Sequence, residues 1–244
     1  MHTDGLTTDT IVVLGSKPDA RLPAVAAPAV FAANNAVELA VHYREKYGSR
    51  IVALTAGDEL AKHEHIQRSY AKAMPDEIVL LGGDEADLTT FVRETLGFQG
   101  TLTYLSFYKR NRGLIGELGR GKYALIADIL RERGVIHALL HGIPDLLLRS
   151  DTAWLYRSTG INAILYAKRI YPYADVVTAG IGLKAGGHFT GGGEFKEKTA
   201  KADRTFMRHW PRSARPWLST TDEALAEMAD VPGWSGETFS ATER

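Results

Sequence analysis

The sequence predicts an α/β fold: a single Rossmann-like domain with a mainly parallel sheet and helices on both faces. Two observations carry this. Short apolar runs, rich in aliphatic and β-branched residues and bounded by Gly, Pro, Asp or Asn, recur along the chain, and longer amphipathic stretches separate them. Runs without polar alternation are what strands buried on both faces require, and alternation of such strands with helices is the pattern of a doubly wound sheet. The length of 244 residues, with 45% hydrophobic residues, suffices for one sizeable core. No Pro/Gly/Ser-rich linker divides the chain, so one domain over 1–244 is expected, with 1–9 and 235–244 frayed.

The expected strands are IVVL (11–14), AVFAA (29–33), IVALT (51–55), EIVLL (77–81), LTYLSF (102–107), IHALL (136–140) and DVVTAGI (175–181). Helices are expected at 34–47, 59–73, 85–96, 119–133 and 159–171, the second with a break at its histidine-rich start. The charged stretch 196–209 reads as a further helix with Ala202, Phe206 and Trp210 on one face. A Pro-rich link then leads to a last helix, capped at Ser219 or Thr220 with acids in its first turn.

Composition excludes several classes. There is no cysteine, so disulfides, thiolate metal sites and a cysteine nucleophile are out. Lys+Arg and Asp+Glu balance at 29 each, which gives no support for a nucleic-acid or anionic-membrane partner. Any anion site must be local. No run of about 18 apolar residues is present, so no membrane span is expected. The polar start MHTDGLTTDT is unlike a signal peptide, and the expected location is cytoplasmic. Neither GxxxxGK[ST], nor a dinucleotide glycine fingerprint after Gly15, nor a GxSxG elbow occurs.

Two stretches have the makings of an anion cradle. In the first, one strand ends in Gly15-Ser16 and the next in Asn34-Asn35, at the start of a helix. Both tips belong to the carboxyl edge of the sheet, where ligands of open α/β folds bind. Gly15 permits close backbone approach, and the Asn34 amide suits a pyrimidine or ribose. The plainer reading is a turn at Gly15-Ser16 and a helix cap at Asn35. In the second, RSTGINAILYA (157–167), Ser158 or Thr159 caps a helix whose N-terminal amides attract phosphate or carboxylate, and Gly160 leaves room there. An ordinary cap is the alternative. After the strand at 175–181, the loop GLKAGGHFTGGG sets His188 among glycines. That loop is costly to order unless it moves or meets a ligand.

In order and surroundings, the two cradles resemble the sialyltransferase superfamily. The matching stretches are LGS (14–16), AANNA (32–36), RSTGINAILYA (157–167), ADVVTAGIGL (174–183) and HFTG (188–191); roughly 50–150 has no counterpart. The resemblance implies a glycosyltransferase that moves an acidic sugar, of sialic acid or Kdo type, from a CMP-sugar donor to a glycan or glycolipid acceptor in surface-glycan assembly. It implies inversion and no metal or other cofactor. Gly15, Ser16, Asn34 and Asn35 would contact the nucleotide; Ser158, Thr159 and Gly160 the donor phosphate or carboxylate; His188 would assist the leaving group. An imidazole titrates near neutral pH and suits that work. Two positions depart from the family pattern. Ser16 stands where Asn is usual, and KEKTAKADRTF (196–206) lacks the family's His-x(4)-Glu. The general base is therefore open among His188, Asp203 and His209. The alternatives are a non-catalytic nucleotide-binding protein and an α/β enzyme for another phosphorylated metabolite.

The remaining polar features have plainer readings. His63 and His65 lie two apart, which makes them diverge on a helix. GGDEAD (82–87) reads as capping and dipole chemistry at a helix start. The basic, glycine-bearing stretch 107–123 reads as a surface loop that could close over a donor, and His141 as a strand-end histidine on the same edge.

Overall fold

The computed structural model describes residues 9–17, 19–106, 157–183, 186–187, 194–195 and 197–240. The helix read at 119–133, the strand at 136–140, the loop at 107–123, His141 and His188 lie outside the described residues.

Seven strands form one all-parallel sheet: β1 (Thr10–Leu14), β3 (Ala29–Ala33), β4 (Arg50–Thr55), β5 (Glu77–Leu81), β6 (Thr101–Leu105), β7 (Asp175–Ala179) and β10 (Leu218–Thr220). Their order is β10-β7-β1-β3-β4-β5-β6. From β1 the chain steps outward to β6, then returns to the other side of β1. The topological switch therefore lies between β1 and β7.

The pleat sorts the core. Ile11, Val13 and Phe31 point to one face, Val12, Leu14 and Val30 to the other. The second face carries α1 (Val37–Tyr47), α2 (Gly57–Lys62), α3 (Glu64–Ala73) and α4 (Glu85–Thr90). The first carries α5 (Thr159–Ile170), α6 (Glu197–His209) and α7 (Glu223–Ala229). Helices flank both faces of the sheet, as expected. Helix 59–73 is two helices, broken at His63, which adopts an extended conformation between them.

Three readings are corrected. Ser219 and Thr220 do not cap the last helix: they pair with β7 as edge strand β10, and Asp222 takes the N-cap position of α7. The apolar face of α6 runs through Ala200, Phe206 and Met207, with Ala202 half-exposed. Thr238–Ser240, within the stretch read as frayed, form β11 and pair antiparallel with β2 (Arg21–Pro23). The small β8 (Gly186–Gly187) and β9 (Glu194–Phe195) pair beyond β7.

Buried polar groups pin the layers. At the amino edge of the sheet, Glu77 accepts from Arg50 (2.6 Å), Thr103 (2.7 Å) and Tyr166 (3.1 Å), which ties three strands to α5. The Arg215 guanidinium donates to the carbonyls of Trp210 (2.9 Å), Asp230 (3.3 Å) and Ala229, joining the ends of α6 and α7.

At the carboxyl edge the tips of β1 and β7 meet backbone to backbone. Gly15 N–H donates to Ala179 O (2.8 Å) and Lys17 N–H to Gly180 O (3.1 Å). Gly180 has φ 72°, and a Cβ built on it would stand 2.5 Å from Gly15 O; one on Gly15 would stand 2.2 Å from Gly180 O. Both glycines are demanded by the crossing. We expect Gly15→Ala to lower unfolding free energy by about 3 kcal/mol in urea titrations, the upper end for overpacking. Gly48→Ala, at φ 71° with nothing within 4 Å, should cost only about 1 kcal/mol. Equal costs at the two positions would argue against the crossing as the tight point.

Candidate functional site

The carboxyl edge around the switch gathers most of the described site candidates. Gly15 and Ser16 leave β1 there, Asn34 and Asn35 leave β3, and α5, which runs back toward the start of β7, presents its N-terminus at the same edge.

At β1 and β7 the close approach is chain to chain. The space beside Gly15 is taken by Gly180 and Ile181, and the Ile181 side chain also packs 3.3 Å from where a Cβ on Gly160 would lie. Ile181 thus wedges between the end of β7 and the first turn of α5. Its N–H donates to Asp222 Oδ2 at 2.9 Å. Asp222 is buried, and that burial pushes its carboxyl upward, opposed by the backbone N–H bonds and by Lys17. Lys17 Nζ stands 4.0 Å from Asp222 Oδ1 and is partly exposed. Because the Asp222 carboxylate bonds across to β7, it makes no cap bond to its own helix.

Asn34 is the unusual residue of β3's exit. The chain turns from extended β3 into a single 3₁₀ turn, Asn34–Ala36, with Asn34 at φ 51°. Asn tolerates the left-handed region better than most residues, yet the conformation has a cost. Its Oδ1 is closed to solvent and has no donor among the described residues. A buried amide oxygen without a donor costs about 1–3 kcal/mol. Asn35 is buried beside it and already engages a neighbour, and the N-cap of α1 is Ala36, without a side-chain bond.

Ser158 is the N-cap of α5, accepting Ile161 N–H at 3.3 Å. Its own N–H donates to Asp203 Oδ1 at 2.7 Å. Among the described residues no acceptor faces the Thr159 and Gly160 amides, so these two donors remain at the positive end of the helix. Arg157 is buried just before them, its guanidinium bound to Asn162 Oδ1 at 3.0 Å and stacked 5.1 Å over the Phe206 ring. The cradle thus combines two amides, a buried cation and a buried carboxylate.

Asp203 comes from the middle of the apolar face of α6 and is wholly buried. Burial raises its carboxyl from 3.8 to about 6, against the lowering effects of Ser158 and Arg157. The sequence signal was available: a carboxylate in register with Ala200, Phe206 and Met207. Asp222 and Lys17 had no such signal, because their pairing depends on how the ends of β1, β7 and β10 meet. His209 lies at the last turn of α6, half-exposed. The rings of His63 and His65 lie 5.4 Å apart, tilted by 47°, with His63 paired to Glu59 at 3.0 Å. Among the described residues no group of three or more His, Asp or Glu could hold a metal, and no helix is long and apolar enough to cross a membrane.

The Asp203 shift carries a stability consequence. A raised carboxyl means that the folded state prefers the protonated form. Its contribution is whole below 3.8 and is lost as pH rises to about 6, by about 3 kcal/mol in total. We expect Asp203→Asn to flatten this part of the pH–stability curve in denaturant titrations, leaving the slope from Asp222, whose carboxyl burial also pushes upward. An unchanged slope would remove Asp203 as its source.

Compared with known proteins, the chain matches no family model, no curated protein and no solved structure.

Proposed function

We propose that the protein is a glycosyltransferase that uses a CMP-linked acidic sugar, of sialic acid or Kdo type, and transfers it with inversion to a surface-glycan acceptor in the cytoplasm. The observation that carries this reading is Asn34: a side-chain amide held in a strained backbone conformation at the carboxyl end of β3, with a buried oxygen that lacks a donor among the described residues. A cytosine amino group or a ribose hydroxyl is the kind of donor that would offset that cost.

The rest of the edge supports the same ligand. The Thr159 and Gly160 amides, capped by Ser158 and backed by Arg157, suit the donor's phosphate or carboxylate. Lys17 stands at the switch with its ammonium partly exposed. In the reaction, an acceptor hydroxyl attacks the anomeric carbon, the bond from that carbon to the CMP phosphate oxygen breaks, and CMP leaves as an anion. The helix N-terminus stabilises the charge that develops on the phosphate. His188 is proposed to assist that departure or to take the acceptor's proton. Donor recognition here uses side-chain and backbone groups of the protein and invokes no metal.

A second reading, nucleotide binding without turnover, is favoured by one feature: the 196–206 stretch after His188 has no His-x(4)-Glu. The two readings share binding and part at catalysis.

The test is calorimetric binding of CMP against UMP, GMP and AMP, with and without EDTA. We expect a preference for CMP unaffected by EDTA, and about a tenfold weakening in Asn34→Ala. Equal binding of all four nucleotides, or none, would sink the reading. CMP preference without transfer or hydrolysis of any CMP-sugar would favour the non-catalytic alternative.

A further inference from the structure

Asp203 places a carboxylate at the very helix end where the donor's anion is proposed to sit. The side chain is wholly buried, Oδ1 accepts the Ser158 N–H at 2.7 Å, and Oδ2 has no partner among the described residues. The groups bearing on it are Ser158 and Arg157, from the turn into α5. On its own helix, Arg204 is committed elsewhere, donating to Leu183 O at 2.7 Å. Among the described residues the cluster therefore holds one guanidinium, one carboxylate and the positive end of α5.

An anion on the Thr159 and Gly160 amides would bring a second negative charge beside this carboxylate, with Arg157 the one cation bearing on it among the described residues. Like charges at a shared buried site cannot both be kept cheaply; one takes a proton. Oδ2 is the position that can hold it, because Oδ1 is already occupied by the Ser158 N–H. We propose that the N-terminus of α5 is a proton-linked anion site: as the donor's phosphate or carboxylate binds, Asp203 takes up a proton at Oδ2, and it releases the proton when the anion leaves. Resting on the reading of this cradle as the donor's anion site, the inference adds a direction of pH dependence and a group responsible for it. Burial already holds this carboxyl near the neutral range, so the proton is within reach under ordinary conditions.

Donor binding should tighten as pH falls toward 6. The bound state would carry less net negative charge than the sum of its parts, and CMP release would be coupled to loss of the Asp203 proton.

The measurement is the carbon-13 carboxyl shift of Asp203 against pH, on the full chain labelled at aspartate, without ligand and with saturating CMP. Sulfate, which does not titrate between pH 5 and 8.5, serves as a second probe. We expect the titration midpoint to rise by about one unit or more with either probe. Calorimetry supplies the partner experiment. The ratio of wild-type to Asp203→Asn affinity for CMP cancels the titration of CMP itself, and it should fall about fivefold or more from pH 6 to pH 8. The Asn variant should bind at pH 8 at least as tightly as the wild type. An unmoved or lowered midpoint while CMP binds would overturn the proton link and leave the donor reading standing. Failure of both CMP and sulfate to bind at any pH would instead overturn the reading of the cradle, and the inference with it. The wild-type titration needs no variant, so a poorly folding Asp203→Asn protein would not rescue the proposal.

Discussion

The architecture turns on one backbone crossing. Where β1 and β7 end, Gly15 and Gly180 approach so closely that neither can carry a side chain. The crossing sits at the topological switch, the point from which neighbouring strands continue in opposite directions around the sheet. It extends the hydrogen-bonded pairing of β1 and β7 past the strands themselves, through Gly15, Ala179, Lys17 and Gly180. Everything at the carboxyl edge is then located relative to it. Ile181, the next residue, is aimed under α5. Asp222 is drawn in to accept the Ile181 N–H, and Lys17 is brought to Asp222. The glycines act as joints within the protein, and the proposed ligand-facing groups are set around them.

Polar chemistry is distributed unevenly between the two edges of the sheet. At the amino edge, the Glu77 carboxylate is fully engaged by Arg50, Thr103 and Tyr166, an arrangement that holds strands and helix together. At the carboxyl edge, Asn34 and Asp203 each keep a buried oxygen without a donor among the described residues, and burial pushes the carboxyls of Asp203 and Asp222 upward. Unsatisfied and displaced groups destabilise a fold, and they concentrate where binding or proton transfer compensates for them. This contrast supports the proposal that the ligand binds at the carboxyl edge.

Within that edge the two cradles differ in kind. The Asn34 side offers neutral amide groups on a strained turn, which suits the hydrogen-bonding edge of a base or a sugar. The α5 side offers a helix dipole, a guanidinium and a titratable acid, which suits a charged group whose protonation state matters. A ligand with a heterocycle at one end and an anion at the other matches the pair.

The strand and helix order was legible from local pattern alone. Fully buried parallel strands need uninterrupted apolar runs, and β1, β3, β4 and β5 each have one, whereas the edge strand β6, TLTYL, is only half-buried; Ser158 was recognisable as a cap because capping is a relation within one helix turn. Asn34 stood out as a polar residue at a strand end. What local pattern could not show was any relation between segments distant in the chain. Leu218–Thr220 is too short and polar to announce a strand, and becomes one only because β7 has an open side to pair with. Thr238–Ser240 becomes β11 only because Arg21–Pro23 lies beside it. Asp222 looked like an ordinary helix-start acid until its carboxylate reached across to Ile181. Asp203 was visible as an acid on an apolar stripe, but its contact with Ser158 spans 45 residues of sequence. Residue type and spacing determined which segments would be strands and helices. Tertiary packing decided which carboxylates would be buried together with which amides, because burial and electrostatic environment are properties of neighbours in space.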